Sequence, residues 1–235
     1  MEQRTVVVTG ASRGIGRATA LELAVVHGCR VFAVARDAEA LAALVREAAD
    51  RDAHIVAVGL DLALPDAPVR LAEVVGPERV TALINDAGLL IKRPFGEWTI
   101  EDGQRLFHLN AVVPLLLAQA LAPAMAGTPG AHIVNIGSMG GFQGSSKFPG
   151  LALYSASKGA LATVTECLAE EFRTSGVRCN CLCIGAVDTV MLREAFPGYE
   201  APVSAATMGA YVAGFALEGH KLFNGKVLPV SVSTP

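Results

Sequence analysis

Tyr154 and Lys158 stand four residues apart in GLALYSASKGAL, residues 150–161. The chain has only 3 tyrosines, and this one lies among serines, alanines and glycines. On a helix, a four-residue spacing puts both side chains on one face. A free phenol, with a pKa of about 10, is a poor acid–base catalyst near neutrality. An ammonium about 4 Å away, at an effective dielectric of ~20, attracts a phenolate by roughly 4 kcal/mol. That attraction lowers the phenol by about 3 units, to about 7, as an upper bound. The pair thus has the makings of a proton donor tuned by a neighbouring charge. Alone, such a pair is more often surface decoration.

A second cluster sits at the start of the chain. The run TGASRGIG (9–16) spaces Gly10, Gly14 and Gly16 as G-x-x-x-G-x-G. Glycine permits a sharp turn and lets backbone N–H groups approach a pyrophosphate. A helix starting there offers its N-terminus to an anion. The triplet gains weight because it follows a strand and precedes an amphipathic helix.

The elements that must position these groups alternate throughout. Strands are expected at 4–10, 29–35, 54–62, 81–86, 131–138, 177–185 and 226–230. Helices are expected from Ile15 to about His27, then at 37–51, 65–75, 99–125, 153–175 and 201–218. Asp37 is the expected N-cap of its helix. Pro114 should kink the 99–125 helix or break it in two. Near-continuous apolar strands between helices imply a parallel sheet covered on both faces. The expected fold class is α/β, a doubly wound Rossmann fold with a seven-stranded parallel sheet, residues 1–235 forming one domain. Two loop-like patches, 139–150 and 190–204, follow strand ends, where open α/β sheets bind ligands.

Composition narrows the partners. Of 235 residues, 52% are apolar and 17% charged, which fits a core-rich globular chain. A net charge of −3 leaves no basic footprint for nucleic acid. No run of 18 apolar residues is present, so no membrane span is expected, and the cytoplasm is the expected location. Cys179, Cys181 and Cys183 alternate along a strand, about 6.5–7 Å apart at Cα, near or beyond disulfide reach. No His or Cys completes a tetrahedral set, so no metal is expected and the three read as buried thiols.

The ordered motifs resemble the short-chain dehydrogenase/reductase family, single-domain branch. They are TGASRGIG at 9, LD at 60, NDAG at 85, LN at 109, IGS at 136, YSASK at 154 and IGAVDT at 184, with NGKVLPV at 224–230 as the family's last strand. The resemblance spans nearly the whole chain. It implies hydride transfer between C4 of a nicotinamide and a carbonyl or alcohol carbon of a small molecule, with Tyr154 as general acid/base. It gives Lys158 the nicotinamide ribose, Ser138 the substrate oxygen, and Asn110 a local helix distortion that holds a proton-relaying water. Gly10, Ser12, Arg13, Gly14, Ile15 and Gly16 would cradle the cofactor phosphates. Asp61 would meet the adenine amino group beside Leu62, and Asn85, Ala87 and Gly88 would line the adenosine and ribose channel. Gly185, Val187 and Thr189 would serve the nicotinamide, and Tyr154 and Lys158 also touch the cofactor. A homotetramer or homodimer is implied.

NADP is favoured over NAD. The second strand ends AVARD, so Ala35 stands where NAD sites hold an acid. Arg36 and Arg13 could clamp a 2′-phosphate. Phe142, Phe148, Leu151, Met191 and Leu192 are the expected substrate walls, and Arg193 either binds an acid group or faces water. Three departures from the family stand out. Asp86 replaces a second asparagine, and its carboxylate points either to solvent or to a backbone N–H. Ile184-Gly185 replaces Pro-Gly. Ser138 and Tyr154 are 16 positions apart, about three more than usual, leaving Ser145 or Ser146 as a substitute for Ser138. A non-catalytic NAD(P)-sensing protein on the same fold is the alternative, opposed by the intact Asn110, Ser138, Tyr154 and Lys158 set.

Overall fold

The computed structural model describes residues 3–234. Met1, Glu2 and Pro235 of the expected 1–235 unit lie outside the described residues. Seven strands form one parallel sheet: β1 (Thr5–Thr9), β2 (Arg30–Ala35), β3 (Ile55–Gly59), β4 (Val80–Asn85), β5 (His132–Ser138), β6 (Arg178–Ile184) and β9 (Lys226–Val230). Their order is β3-β2-β1-β4-β5-β6-β9. The chain therefore winds outward twice from the β1–β4 pair, which opens a crevice at their carboxyl ends.

β1 reads TVVVT and is buried along its whole length, as a strand covered on both faces must be. Alternation divides its side chains. Val6 and Val8 join Leu23, Leu41, Leu44 and Val212 in one layer. Val7 joins Leu71, Leu117, Leu121 and Leu168 in the other. Helices α1 (Gly14–Val25), α2 (Ala38–Ala49) and α8 (Ala205–Glu218) supply the first layer. The second comes from α3 (Ala67–Val75), α5 (Val113–Met125) and α6 (Ala152–Glu171). Asp37 caps α2, its carboxylate accepting from the Ala40 N–H.

The segment after β6 is more ordered than its composition implied. Within 190–204 lies the helix α7 (Val190–Ala195), capped by the Thr189 hydroxyl. Two short strands flank it, β7 (Val187–Asp188) and β8 (Val203–Ser204), which pair in parallel.

Pro114 does not break its helix. One body runs from α4 (Ile100–Phe107) through a π-helical turn at His108–Val112 into α5. Lacking an N–H, Pro114 cannot bond the carbonyl four residues back, that of Asn110. The extra residue in the π turn absorbs the mismatch, and the Val113 N–H bonds His108 instead. The 26-residue body is long and apolar enough to cross a membrane, although Val113, Leu117, Leu121 and Met125 pack in the second layer.

Cys179, Cys181 and Cys183 alternate along β6 and are buried as free thiols, with Cys29. Gly137 makes room for two of them: a Cβ there would stand 2.8 Å from the Cys181 sulfur and 3.0 Å from that of Cys183.

Candidate active site

A cleft of about 710 Å³ opens at the carboxyl ends of β1, β4, β5 and β6. Its wall includes the phosphate-loop residues Gly10, Ser12, Arg13, Gly14 and Ile15. It also includes Ser138, Tyr154 and Lys158, so the two clusters, over 120 positions apart in sequence, share one space.

The glycines have separate reasons. Gly10 has φ +71°, and a Cβ there would stand 2.8 Å from the Ala87 nitrogen. Gly14 has φ +58°, and a Cβ there would stand 3.4 Å from the Thr189 Cγ2. Gly16 does not line the cleft. It is pinned underneath, where a Cβ would lie 2.6 Å from both the Gly10 oxygen and an Asp86 carboxylate oxygen. The first turn of α1 carries no acid, and no side chain caps it. The Asp86 carboxylate lies against Gly16, leaving the preceding N–H groups of the turn to an anion. The loop therefore fits a dinucleotide pyrophosphate.

Asp86 takes the backbone alternative left open by its sequence. Burial lifts its carboxyl from 3.8 to about 6, while Lys158 and the Gly16 N–H pull it down. Asn85 is not a channel residue. It is 2% exposed and donates to Asn135 at 2.8 Å, and Asn135 donates to Thr165 at 2.9 Å. This buried chain ties β4, β5 and α6 together.

Ser138 ends β5, and its hydroxyl accepts from the Gly140 N–H at 3.1 Å. It shares the cleft wall with Tyr154, whose pKa it pulls down. The turn Met139–Gly141 lies directly on α6, since a Cβ at Gly141 would come within 2.7 Å of the Lys158 Cβ and the Gly159 nitrogen. The added residues therefore bulge after Phe142, and Ser145 and Ser146 lie outside the cleft wall.

Lys158 is 5% exposed and donates to the Ile136 carbonyl at 2.7 Å. Burial lowers its pKa, and Asp86 holds it up. Tyr154 departs from the expected lowering. Burial raises its pKa, Asp86 and Cys183 add to the rise, and Ser138 opposes it. Burial therefore favours the neutral phenol, and the ammonium engages the Ile136 carbonyl.

Asn110 is fully buried beneath the cleft wall, in the π turn. Its side-chain oxygen accepts from the Leu89 N–H at 2.8 Å. Its amide donates to the Leu89 carbonyl and to Ser157, both at 2.9 Å. The side chain is thus a rivet between the helix, the segment after β4, and α6.

Among the other expected contacts, Arg36, Asp61, Leu62, Ala87, Gly88, Gly185, Val187 and Thr189 line the cleft, as do Phe148, Leu151, Met191 and Leu192. Phe142 does not; its carbonyl instead accepts from Lys147 at 2.7 Å. Arg193 is bound by Asp188. Phe196, one of the apolar residues of the 190–204 patch, also lines the cleft; sequence reasoning missed Lys92 and His108, which carried no signal.

The doubly wound sheet, glycine cradle and strand-end cleft define a Rossmann-type dinucleotide-binding protein. Residues 4–200 match the family model described as short chain dehydrogenase. Protein FixR of Bradyrhizobium diazoefficiens is 36% identical over 197 residues, covering 81% of this chain and 69% of the relative. Carbonyl reductase (NADPH) 2 of Sus scrofa is 36% identical over 190 residues, 80% of this chain and 73% of that one. A solved structure described as a blue fluorescent protein from a metagenomic library in complex with NADPH superposes with a TM-score of 0.84 at 28% identity, covering 97% and 96% of the two chains. The chain belongs to the short-chain dehydrogenase family and is an oxidoreductase.

Proposed function

We propose that the protein is an NADPH-dependent reductase of small-molecule carbonyl compounds, or the corresponding alcohol dehydrogenase in reverse. The observation that carries this reading is the meeting of Ser138, Tyr154 and Lys158 on the wall that also holds the phosphate loop. The bound nicotinamide would supply the hydride. Ser138 and Tyr154 would both donate hydrogen bonds to the substrate carbonyl oxygen. As negative charge grows on that oxygen, the neutral Tyr154 phenol gives up its proton. The Lys158 ammonium, on the same face of α6, then stabilises the phenolate.

Arg13 and Arg36 support NADP over NAD. Both line the cleft, Ala35 beside them carries no charge, and among the described residues neither guanidinium is in an ion pair. Asp61 spends one carboxylate oxygen on the Ala63 N–H at 3.0 Å, and its other oxygen can accept from adenine. The family's homodimer or homotetramer is part of this reading, supported by exposed Ile100, Phe107 and Val112 on the α4–α5 body.

The test is a carbonyl panel assayed with NADPH and NADH in parallel, on the wild type and Tyr154→Phe. Carbonyl-dependent NADPH oxidation that drops by about 10²-fold or more in the variant is expected. Full activity in Tyr154→Phe contradicts the mechanism, and NADPH binding without turnover contradicts the function.

A further inference from the structure

Lys92 is a buttressed cation on the cleft wall that the chemistry above does not use. It follows β4, and its Nζ donates to the Ala195 carbonyl at 2.6 Å, at the end of α7. The same ammonium stands 5.0 Å from the Phe196 ring centroid. Phe196 meets Phe148 edge-on, with centroids 5.3 Å apart. The Lys92 stem lies on Gly150, where φ is +80° and a Cβ would come within 3.1 Å of the Lys92 Cγ. The neighbouring Arg93 N–H donates to the Gly150 carbonyl at 3.0 Å. The Arg93 guanidinium is held in turn by Asp102 at 3.2 and 3.3 Å.

The ammonium is thus fixed where three segments meet: the segment following β4, the long loop before α6, and the helix α7. Its two close partners, a carbonyl and an aromatic ring, are both neutral. Among the described residues it has no ion pair, although Glu194 shares the wall. An ammonium carries three N–H donors, and the Ala195 bond uses one. Lys92 is an exposed residue, so its remaining donors are open to an anion entering the cleft. Arg193, the cation carried by α7 itself, is already taken by Asp188.

We propose that Lys92 is the specificity-determining cation of this cleft. It takes the carboxylate of a carbonyl substrate whose apolar body lies against Phe148, Leu151 and Phe196. The substrate class is therefore oxo-acids with the two functions separated by an apolar spacer. This rests on the cleft being that of a carbonyl reductase.

The test compares 4-carboxybenzaldehyde with its uncharged methyl ester, methyl 4-formylbenzoate, in wild type and Lys92→Met, with NADPH. The expected result is an acid-to-ester ratio of kcat/KM that falls by about tenfold or more in the variant, through KM of the acid. An unchanged ratio, with both substrates impaired alike, makes Lys92 a latch on α7 only and overturns the proposal. A second measurement does not need turnover. Calorimetry of 4-(hydroxymethyl)benzoate on the NADPH-loaded protein should give a Kd about tenfold weaker in Lys92→Met. Equal Kd values in the two proteins overturn the proposal. A difference in Kd without reduction of either aldehyde supports anion capture while rejecting the reductase reading.

Discussion

Gly141 packs on Lys158 so closely that a Cβ on the glycine would stand 2.7 Å from the Cβ of the lysine. This contact, rather than the length of the following loop, places Ser138 against Tyr154. Gly141→Ala should push the turn off α6 and lower kcat by about 10²-fold, because misplacement by about 1 Å costs that much. Steady-state kinetics check this, with melting temperature as the control for folding. An activity within twofold of wild type refutes the coupling.

Cofactor choice should follow the unpaired arginines. Arg36→Ala should raise KM for NADPH by about 10-fold or more, the scale of one charge-assisted bond, and leave KM for NADH nearly unchanged. Ala35→Asp should go further and reverse the preference by repelling the 2′-phosphate. Equal effects on both cofactors would remove Arg36 from phosphate recognition.

Asp86 should make the fold more stable in acid. Its folded-state pKa, about 6, lies above the ordinary 3.8. The folded protein therefore holds the proton more tightly, and this stability is present below about pH 4 and lost as pH rises through about 6. Asp86→Asn removes the penalty of the ionised form. Its melting temperature should exceed wild type by about 2–4 °C at pH 8 and converge towards pH 4. A constant offset across that range counts against the assignment.

His132 works in the opposite direction. Burial takes it from 6.5 to about 4. Its Nδ1 lies 3.1 Å from the Ala216 carbonyl oxygen, and its Nε2 lies 2.9 Å from the Asn180 amide nitrogen. Donation from Nδ1–H and acceptance at Nε2 require the neutral ring. Stability from this group is present above about pH 6.5 and lost as pH falls through about 4. His132→Gln should be less stable than wild type at pH 7, with a gap that narrows towards pH 4 in thermal denaturation. A gap that widens would mean the imidazolium is accommodated.

Much of this was readable from the chain because the signals were local. Near-continuous apolar strands and the positions of glycine announced the sheet and the phosphate loop. What stayed hidden depends on contacts distant in sequence. Asn85 looks like a channel residue until Asn135 and Thr165 are beside it. The upward direction of the Tyr154 shift comes first from burial, which only the assembled cleft shows. Phe142 and Phe148 are six residues apart in one loop, yet only Phe148 reaches the cleft, because Phe196 at the end of α7 meets it there. Pro114 signalled a kink or a break, and the π turn at Asn110 is how the helix continues instead.

The loop between Gly141 and Gly150 is fastened at both ends, by Lys158 on one side and by Lys92 and Arg93 on the other. Length and composition between those fasteners can therefore vary without disturbing Ser138. On the proposed reading the segment is an exchangeable cassette: loop grafting there should rewrite selectivity while Ser138, Tyr154 and Lys158 keep their places.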